Sequence, residues 1–322
     1  MGLTNFPNGV LATPNLGGDG RNSYAGWWGN DIWYVDDIAG SDSNRGTTPT
    51  TGFATVQKAV DNAGPQDTIY IRPRNVTVGA YSDHGYITNL VSNIATGEAV
   101  QGLNIIGTGT GRGICANVQT AIAPVAGVTT ATILVESPCV NIENVLVKMV
   151  SGQTAGCIGA VDSTARSYGL TVNNCSFKNF ITADNATKIA AIMLDNNHWT
   201  TIENCFFREC YWGINFGSSG GVIEGLYVRN CEFVGAAATW ESDIYMGDVK
   251  NILIDSCRFA HALPAFPTGT GLHYITMAGS AGTGIISNCN ISANSTDQTD
   301  NITLAGTVLN SHVFGADTAI LE

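Results

Sequence analysis

The chain has 322 residues and a formal net charge of −12, with 14 Lys and Arg against 26 Asp and Glu. That balance argues against nucleic acid and anionic membrane as partners, since both repel an acidic surface. No run of about 18 apolar residues is present to span a bilayer, and 12% charged residues with 38 glycines describe a β-rich, turn-rich chain.

In chain order, residues 1–32 read as an extended arm. Pro7, Gly9 and a Gly- and Asn-rich stretch before Trp27-Trp28 forbid a helix. The tryptophans either pack on the body of the protein or, with Phe6 and Pro7, dock on a partner. Met1 to Phe6 lacks the basic and apolar regions of a signal peptide. In residues 33–75, Phe53, Val56, Ala59, Val60 and Ala63 share one helical face, Gly64-Pro65 stops the helix, and Ile69 and Ile71 begin the first strand. A short amphipathic helix there covers the open end of the fold that follows.

Beyond this segment one phrase repeats. It reads Leu170-x-Val172-x-Asn174-Cys175-x-Phe177, Ile202-x-Asn204-Cys205-x-Phe207, Leu226-x-Val228-x-Asn230-Cys231-x-Phe233 and Ile252-x-Ile254-x-Ser256-Cys257-x-Phe259. Weaker copies are Val140-x-Ile142-x-Asn144-Val145-x-Val147, Ile286-x-Asn288-Cys289-x-Ile291 and Val308-x-Asn310-Ser311-x-Val313. The steps between copies are 30, 30, 26, 26, 32 and 22 residues. One strand phrase per such period marks a solenoid. A β-sandwich also spaces its strands regularly, but gives no reason for Asn-Cys-x-Phe to recur in phase.

Residues at minus five, minus three, zero and plus two from the Cys point inward, so alternation breaks between minus three and the Cys. The chain bends there, and Asn takes the left-handed conformation such a bend needs. Stacked asparagines predict an amide ladder from coil to coil over Asn144, Asn174, Asn204, Asn230, Asn288 and Asn310. Cys175, Cys205, Cys231, Cys257 and Cys289 form an inward column of small apolar residues with free thiols. Cys115, Cys139, Cys157 and Cys210 have no assigned role, and no Cys-x-x-Cys or Cys/His spacing points to zinc. A second alternating column, Ile192-x-Leu194, Ile214-x-Phe216, Ile244-x-Met246, Ile275-x-Met277 and Ile302-x-Leu304, supplies a further strand per coil. Roughly nine coils at about 4.8 Å each predict a rod on the order of 43 Å long.

The phrase resembles the right-handed parallel β-helix of the pectate-lyase-like superfamily. The resemblance extends upstream through Gly40-Ser41-Asp42-Ser43-Asn44-Arg45-Gly46, Pro49, Phe53-Ala54-Thr55-Val56-Gln57-Lys58-Ala59-Val60 and Asp67-Thr68-Ile69-Tyr70-Ile71-Arg72-Pro73, a string similar to the opening of many such proteins. It implies an all-β fold: a right-handed parallel β-helix over 33–322, whose segment 33–75 carries a short N-terminal capping helix, preceded by the extended arm of 1–32. It is specific for fold and not for activity. Separately, Leu3-Thr4-Asn5-Phe6-Pro7-Asn8-Gly9-Val10 is similar to the starts of virion structural proteins from tailed bacteriophages, marine ones in particular.

The first resemblance implies that polysaccharide-cleaving residues would lie on the outward face of one strand column. Outward in the second column are Met193, Asn215, Tyr245, Thr276 and Thr303, poor material for acid and base. Asp162 and Asp195 end equivalent strands on successive coils, and Asp243 and Asp248 flank a later one. A separation of about 5 Å, the coil spacing, would suit Asp162 and Asp195 as a retaining hydrolase pair or a calcium site. Before Ser163 and Asn196 they also read as ordinary turn openings. For a lyase, His198, His261, His273, Arg208 and Lys188 are available but scattered. If the protein is an enzyme, Asp162, Asp195, His198 and Asp243 are the fallback set. The paired-Asp and Gly-His-Gly signatures of polygalacturonase-like enzymes are absent, so the resemblance carries over no catalytic residue, and neither cofactor nor metal is indicated. Trp199, Tyr211, Trp212, Trp240, Tyr245 and Tyr274, read as loop residues, suit sugar stacking or a subunit contact.

Asp317 to Glu322 reads as a strand of the last coil with no cap after it, an edge that association would cover. The resemblance makes a homotrimer the default. The expected function is a non-enzymatic structural protein on the surface of a tailed-phage particle. It would be a capsid decoration or head spike held to other virion proteins by its arm or open end, the arm being short for a tail spike's particle-binding domain. The alternatives are a tail spike that binds or cleaves host surface polysaccharide, and a secreted polysaccharide lyase or hydrolase.

Overall fold

The computed structural model describes residues 31–73, 89–91, 94–96, 100–109, 120–124, 131–148, 158–161, 168–180, 190–195, 197–217, 223–235, 242–261, 273–279, 282–292, 302–304, 307–311 and 314–315. The arm with Phe6, Pro7, Trp27 and Trp28 lies outside them, as do Asp162, Lys188, Trp240, Cys115 and Cys157.

Short apolar strands separated by turns stack into three parallel sheets of ten, nine and eight strands. One coil takes Thr171–Asn173 in the first sheet, Ser176–Phe180 in the second and Ala190–Asp195 in the third, then Thr200–Glu203 back in the first. Each strand pairs in register with its equivalents on the coils before and after, as Val172 does with Ile142 and Ile202. The chain is a right-handed parallel β-helix.

Two series of left-handed residues recur along the first sheet through the middle of the rod, the second falling inside strands Ile223–Arg229 and Val249–Asp255. At minus one, Asn144, Asn174, Asn204, Asn230, Ser256 and Asn288 have φ of 52° to 60°. The bonding between coils at this corner is a backbone ladder. The N–H groups of Asn144, Asn174, Asn204, Asn230 and Ser256 donate to the carbonyls of Asn173, Glu203, Arg229, Asp255 and Ser287 at 3.0–3.2 Å. The side-chain amide ladder predicted from sequence is narrower. Asn174 donates to Asn144 Oδ1 at 2.6 Å, whereas Asn204 reaches Asn173 and Asn288 reaches Asp255. The second corner, at minus six, places Gln66, Gly102, Cys139, Gly169, Trp199, Gly225 and Asn251 at positive φ. The first five N–H groups of that series donate to carbonyls of the following coil at 2.7–2.9 Å.

Asn310 departs from the predicted ladder. Its backbone pairs with Ile286 and Ser311 pairs with Ser287, so the last copy sits two residues out of the predicted register. The slip moves Asn310 from the corner to the register position of Ile286 and Ser311 from the cysteine column to that of Ser287, while Val308 suits the minus-five position it takes as well as the minus-three position predicted.

Between the corners the interior is built of like residues in columns. Phe177, Phe207, Phe233 and Phe259 stack with centroids 4.9, 4.6 and 5.0 Å apart and planes within 12°. The cysteines form the adjacent buried column, and each thiol lies 3.6–3.8 Å from the minus-three carbonyl of the coil before. The capping helix is Val56–Asn62, with Thr55 as N-cap accepting from the Lys58 N–H, and it buries Val56, Ala59 and Val60. Phe53 lies outside the helix and stacks on Trp33. The first strand is Ile32–Val35, which places Ile69 and Ile71 on the second strand of that sheet. Trp33 is fixed there because its indole donates to Asp67, whose carboxylate also accepts from the N–H groups of Asp31 and Gly64.

Asn204→Gly removes one side-chain hydrogen bond, about 1 kcal/mol. Asn204→Val adds left-handed strain of about 1–2 kcal/mol. Urea unfolding is expected to rank wild type above the glycine variant and the glycine variant above valine. Asp255 occupies the coil where Ser256 replaces Asn, and its bonds from the Ser287 hydroxyl and the Asn288 amide hold its carboxyl below the usual range. A depressed pKa contributes stability above the ordinary value of about 3.9 and loses it as pH falls through the folded value. Asp255→Ala is therefore expected to cost about 1–2 kcal/mol near neutral pH, with the gap in melting temperature closing below about pH 3.9.

Candidate functional site

The outward face of the third sheet carries the strand column to which the sequence resemblance assigns any polysaccharide chemistry. Strands Ala190–Asp195, Trp212–Gly217, Ser242–Met246 and His273–Met277 set Met193, Asn215, Tyr245 and Thr276 in one column. Ala190, Trp212, Ser242 and His273 form the column before it. Trp212 stacks on Tyr245 at 5.3 Å and 18°, and Tyr211 tilts against Trp212. With Ala190 and Met193 these rings make a small apolar cluster outside the main core. Asn215 is 9% exposed, and its Oδ1 is buried without a hydrogen-bond partner.

Each of these strands turns two consecutive residues inward before alternation resumes. The first of each pair is Ala191, Gly213, Asp243 or Tyr274, all buried. Gly213 is required by space, because a Cβ there would stand 2.8 Å from the Asp243 carbonyl oxygen and from the Phe233 ring. Asp243, predicted to flank the strand, is thus within it and 3% exposed. Burial first, and the Asp243 charge second, push the Tyr274 hydroxyl well up.

The fallback catalytic set does not converge. Asp195 stands in register with Val161 and Gly217, so the predicted Asp162–Asp195 pairing is one residue out, and Asp162 itself lies outside the described residues. Asp243 is two coils and four residues from Asp195, roughly 10 Å up the stack and roughly 13 Å along the strand. That exceeds the reach of a hydrolase pair. His198 lies on the minus-six corner, where its Nδ1 accepts from the Glu224 N–H at 3.1 Å. Arg208 pairs with Glu209. His261 and His273 occupy strands of different sheets. Among the described residues no group of three His, Cys, Asp or Glu side chains converges to hold a metal.

Aromatic placement also differs from expectation. Trp212 and Tyr245 sit on strands rather than loops, Tyr274 is in the core, and Trp199 is 47% exposed on a corner, its ring against Gly225. The doubled inward residues hide this arrangement from a simple alternating pattern. Among the described cysteines, the column and Cys210 are buried free thiols, and Cys139 is an exposed one. Burial pushes the Cys205 thiol up. Hydrogen bonds from neighbouring thiols do the same for Cys257 and Cys289.

The sequence matches no family model and no curated protein. Among solved structures, a GH136 lacto-N-biosidase from Eubacterium ramulus is 14% identical with a TM-score of 0.50, over 88% of this chain and 56% of its own. A pectin methylesterase from Aspergillus niger is 15% identical with a TM-score of 0.49, over 91% and 89%. A pectate lyase is 12% identical with a TM-score of 0.48, over 91% and 81%. At these identities the likeness is one of fold.

Iodoacetamide at mildly alkaline pH is expected to alkylate Cys139 in the native protein and to leave the ladder cysteines unmodified until denaturant is added. Peptide mass mapping checks this. Modification of Cys205 in the native state would contradict the buried column.

Proposed function

We propose that this chain is a non-enzymatic structural protein of a tailed-phage particle. It is a capsid decoration or head spike displayed on the virion surface as a homotrimer and held to other virion proteins by its arm or its last coil. The observation that supports this most is the third-sheet face. Trp212, Tyr245 and Met193 fill the outward face of this sheet with an apolar cluster, and Asp195 and Asp243 lie too far apart to act as a pair. The likeness of Leu3 to Val10 to the starts of virion proteins supports the location.

A second reading, a tail spike that binds host surface glycan on this face, is favoured by Asn215. Its buried, unpartnered Oδ1 in register with Tyr245 is the kind of acceptor that a sugar hydroxyl satisfies.

Incubation with capsular and uronate polysaccharides is expected to release no oligosaccharide. Release that Asp195→Asn abolishes would sink the structural reading. Deleting residues 2–26 is expected to abolish particle attachment while leaving the melting profile unchanged, and retained attachment would remove the arm from the account.

A further inference from the structure

The outward face of the first sheet changes character along the rod. Read coil by coil in register, its central column runs Thr68, Asn104, Asn141, Thr171 and Thr201. It then continues as Tyr227, Leu253 and Ile285, with Leu309 at the same register position on the next coil. These positions do not serve the core, which Val228, Ile254 and Ile286 fill from the same strands. Ile285 is 44% exposed, and Tyr227 and Leu253 are half-buried. A contiguous apolar column on a solvent face marks a docking surface.

The charges beside the column identify the occupant. On one flank, at minus seven, stand His198, Glu224 and Lys250 on successive coils. On the other, at minus two, stand Glu203, Arg229 and Asp255. Taken coil by coil, two levels carry opposite charges on the two flanks, Glu224 with Arg229 and Lys250 with Asp255; at the level before them His198 accepts from the Glu224 N–H through Nδ1 and Glu203 pairs with Arg229. Within one chain the two flanks lie on opposite sides of the column. Rotation about an axis parallel to the rod brings the minus-seven flank of one copy against the minus-two flank of the next at the same height. It thereby sets both charge pairs in apposition, as a closed symmetric contact requires. The same rotation sets Tyr227, Leu253 and Ile285 against their own equivalents. An antiparallel arrangement centred between Tyr227 and Leu253 also opposes unlike charges, Glu224 to Lys250 and Arg229 to Asp255, but it sets Ile285 against Thr201.

We propose that copies of this chain assemble side by side and parallel through this half of the first sheet, with Tyr227, Leu253 and Ile285 at the centre of the contact. The Glu224–Arg229 and Lys250–Asp255 pairs lie at its rim. This rests on the reading of the rod as a multimeric structural component, and gives that assembly its face.

The test is light scattering on the full chain during size exclusion, with circular dichroism of each variant as a check on folding. Wild type is expected at an integer multiple of 33.7 kDa. Ile285→Asp is expected to run as a folded monomer. Glu224→Arg and Arg229→Glu are each expected to weaken assembly by about tenfold or more, and the Glu224→Arg/Arg229→Glu double variant to regain it. A monomeric wild type would overturn both this contact and the multimeric reading. A multimer indifferent to Ile285→Asp and Glu224→Arg would overturn the contact alone. A double variant weaker than either single would overturn the parallel order.

Discussion

The left-handed corner, closed by a backbone N–H donating to a carbonyl one coil away, is the constraint on which the rest of this rod depends. A chain that must return to the same sheet every 24 to 37 residues turns sharply without leaving its amides unbonded in the interior. The two corner series, at minus six and minus one, solve this at both ends of the first sheet. The four residues between them keep one rhythm of in, out, in, out on every coil. The aliphatic and cysteine columns inside and the Tyr227 to Ile285 column outside are consequences of that phase.

Inside, stacking of like on like follows from parallel in-register pairing. Each Phe meets a Phe at ring-stacking distance, and each thiol faces the same carbonyl of the preceding coil. Cysteine suits this column because it is small, apolar and able to donate weakly to a carbonyl. Burial and neighbouring thiols oppose ionisation of Cys205 and Cys257, which pack and do not react. The outward surfaces are free of these constraints. On the third sheet they present an aromatic cluster around an unpartnered amide oxygen, and on the first an apolar column between complementary charges.

The minus-one corner was legible in the sequence because few residues accept a left-handed backbone there, and Asn144, Asn174, Asn204, Asn230 and Asn288 repeat the same choice. The minus-six corner was not, although its geometry is as regular. From Gln66 to Trp199 its bond is made by the backbone alone, so Gln66, Gly102, Cys139, Gly169 and Trp199 all serve, and no side-chain pattern marks the position. Asn310 is out of the predicted register because Val308, the apolar residue that anchors the last copy, fits minus five as well as minus three. On the third sheet, Met193, Asn215 and Tyr245 were identified as outward. Trp212 was missed as their neighbour because the doubled inward pair, such as Gly213 with Ile214, breaks the period of two. Asp243 was placed outside its strand for the same reason.

Amide hydrogen exchange tests the corner ladders most directly. The N–H groups of Asn144, Asn174, Asn204, Asn230 and Ser256, and those of Cys139, Gly169 and Trp199, are predicted to exchange as slowly as the strand interiors they bracket, despite lying at bends. Exchange at these sites as fast as in an unstructured peptide would contradict the ladders, and with them the phase that sets every column of the rod.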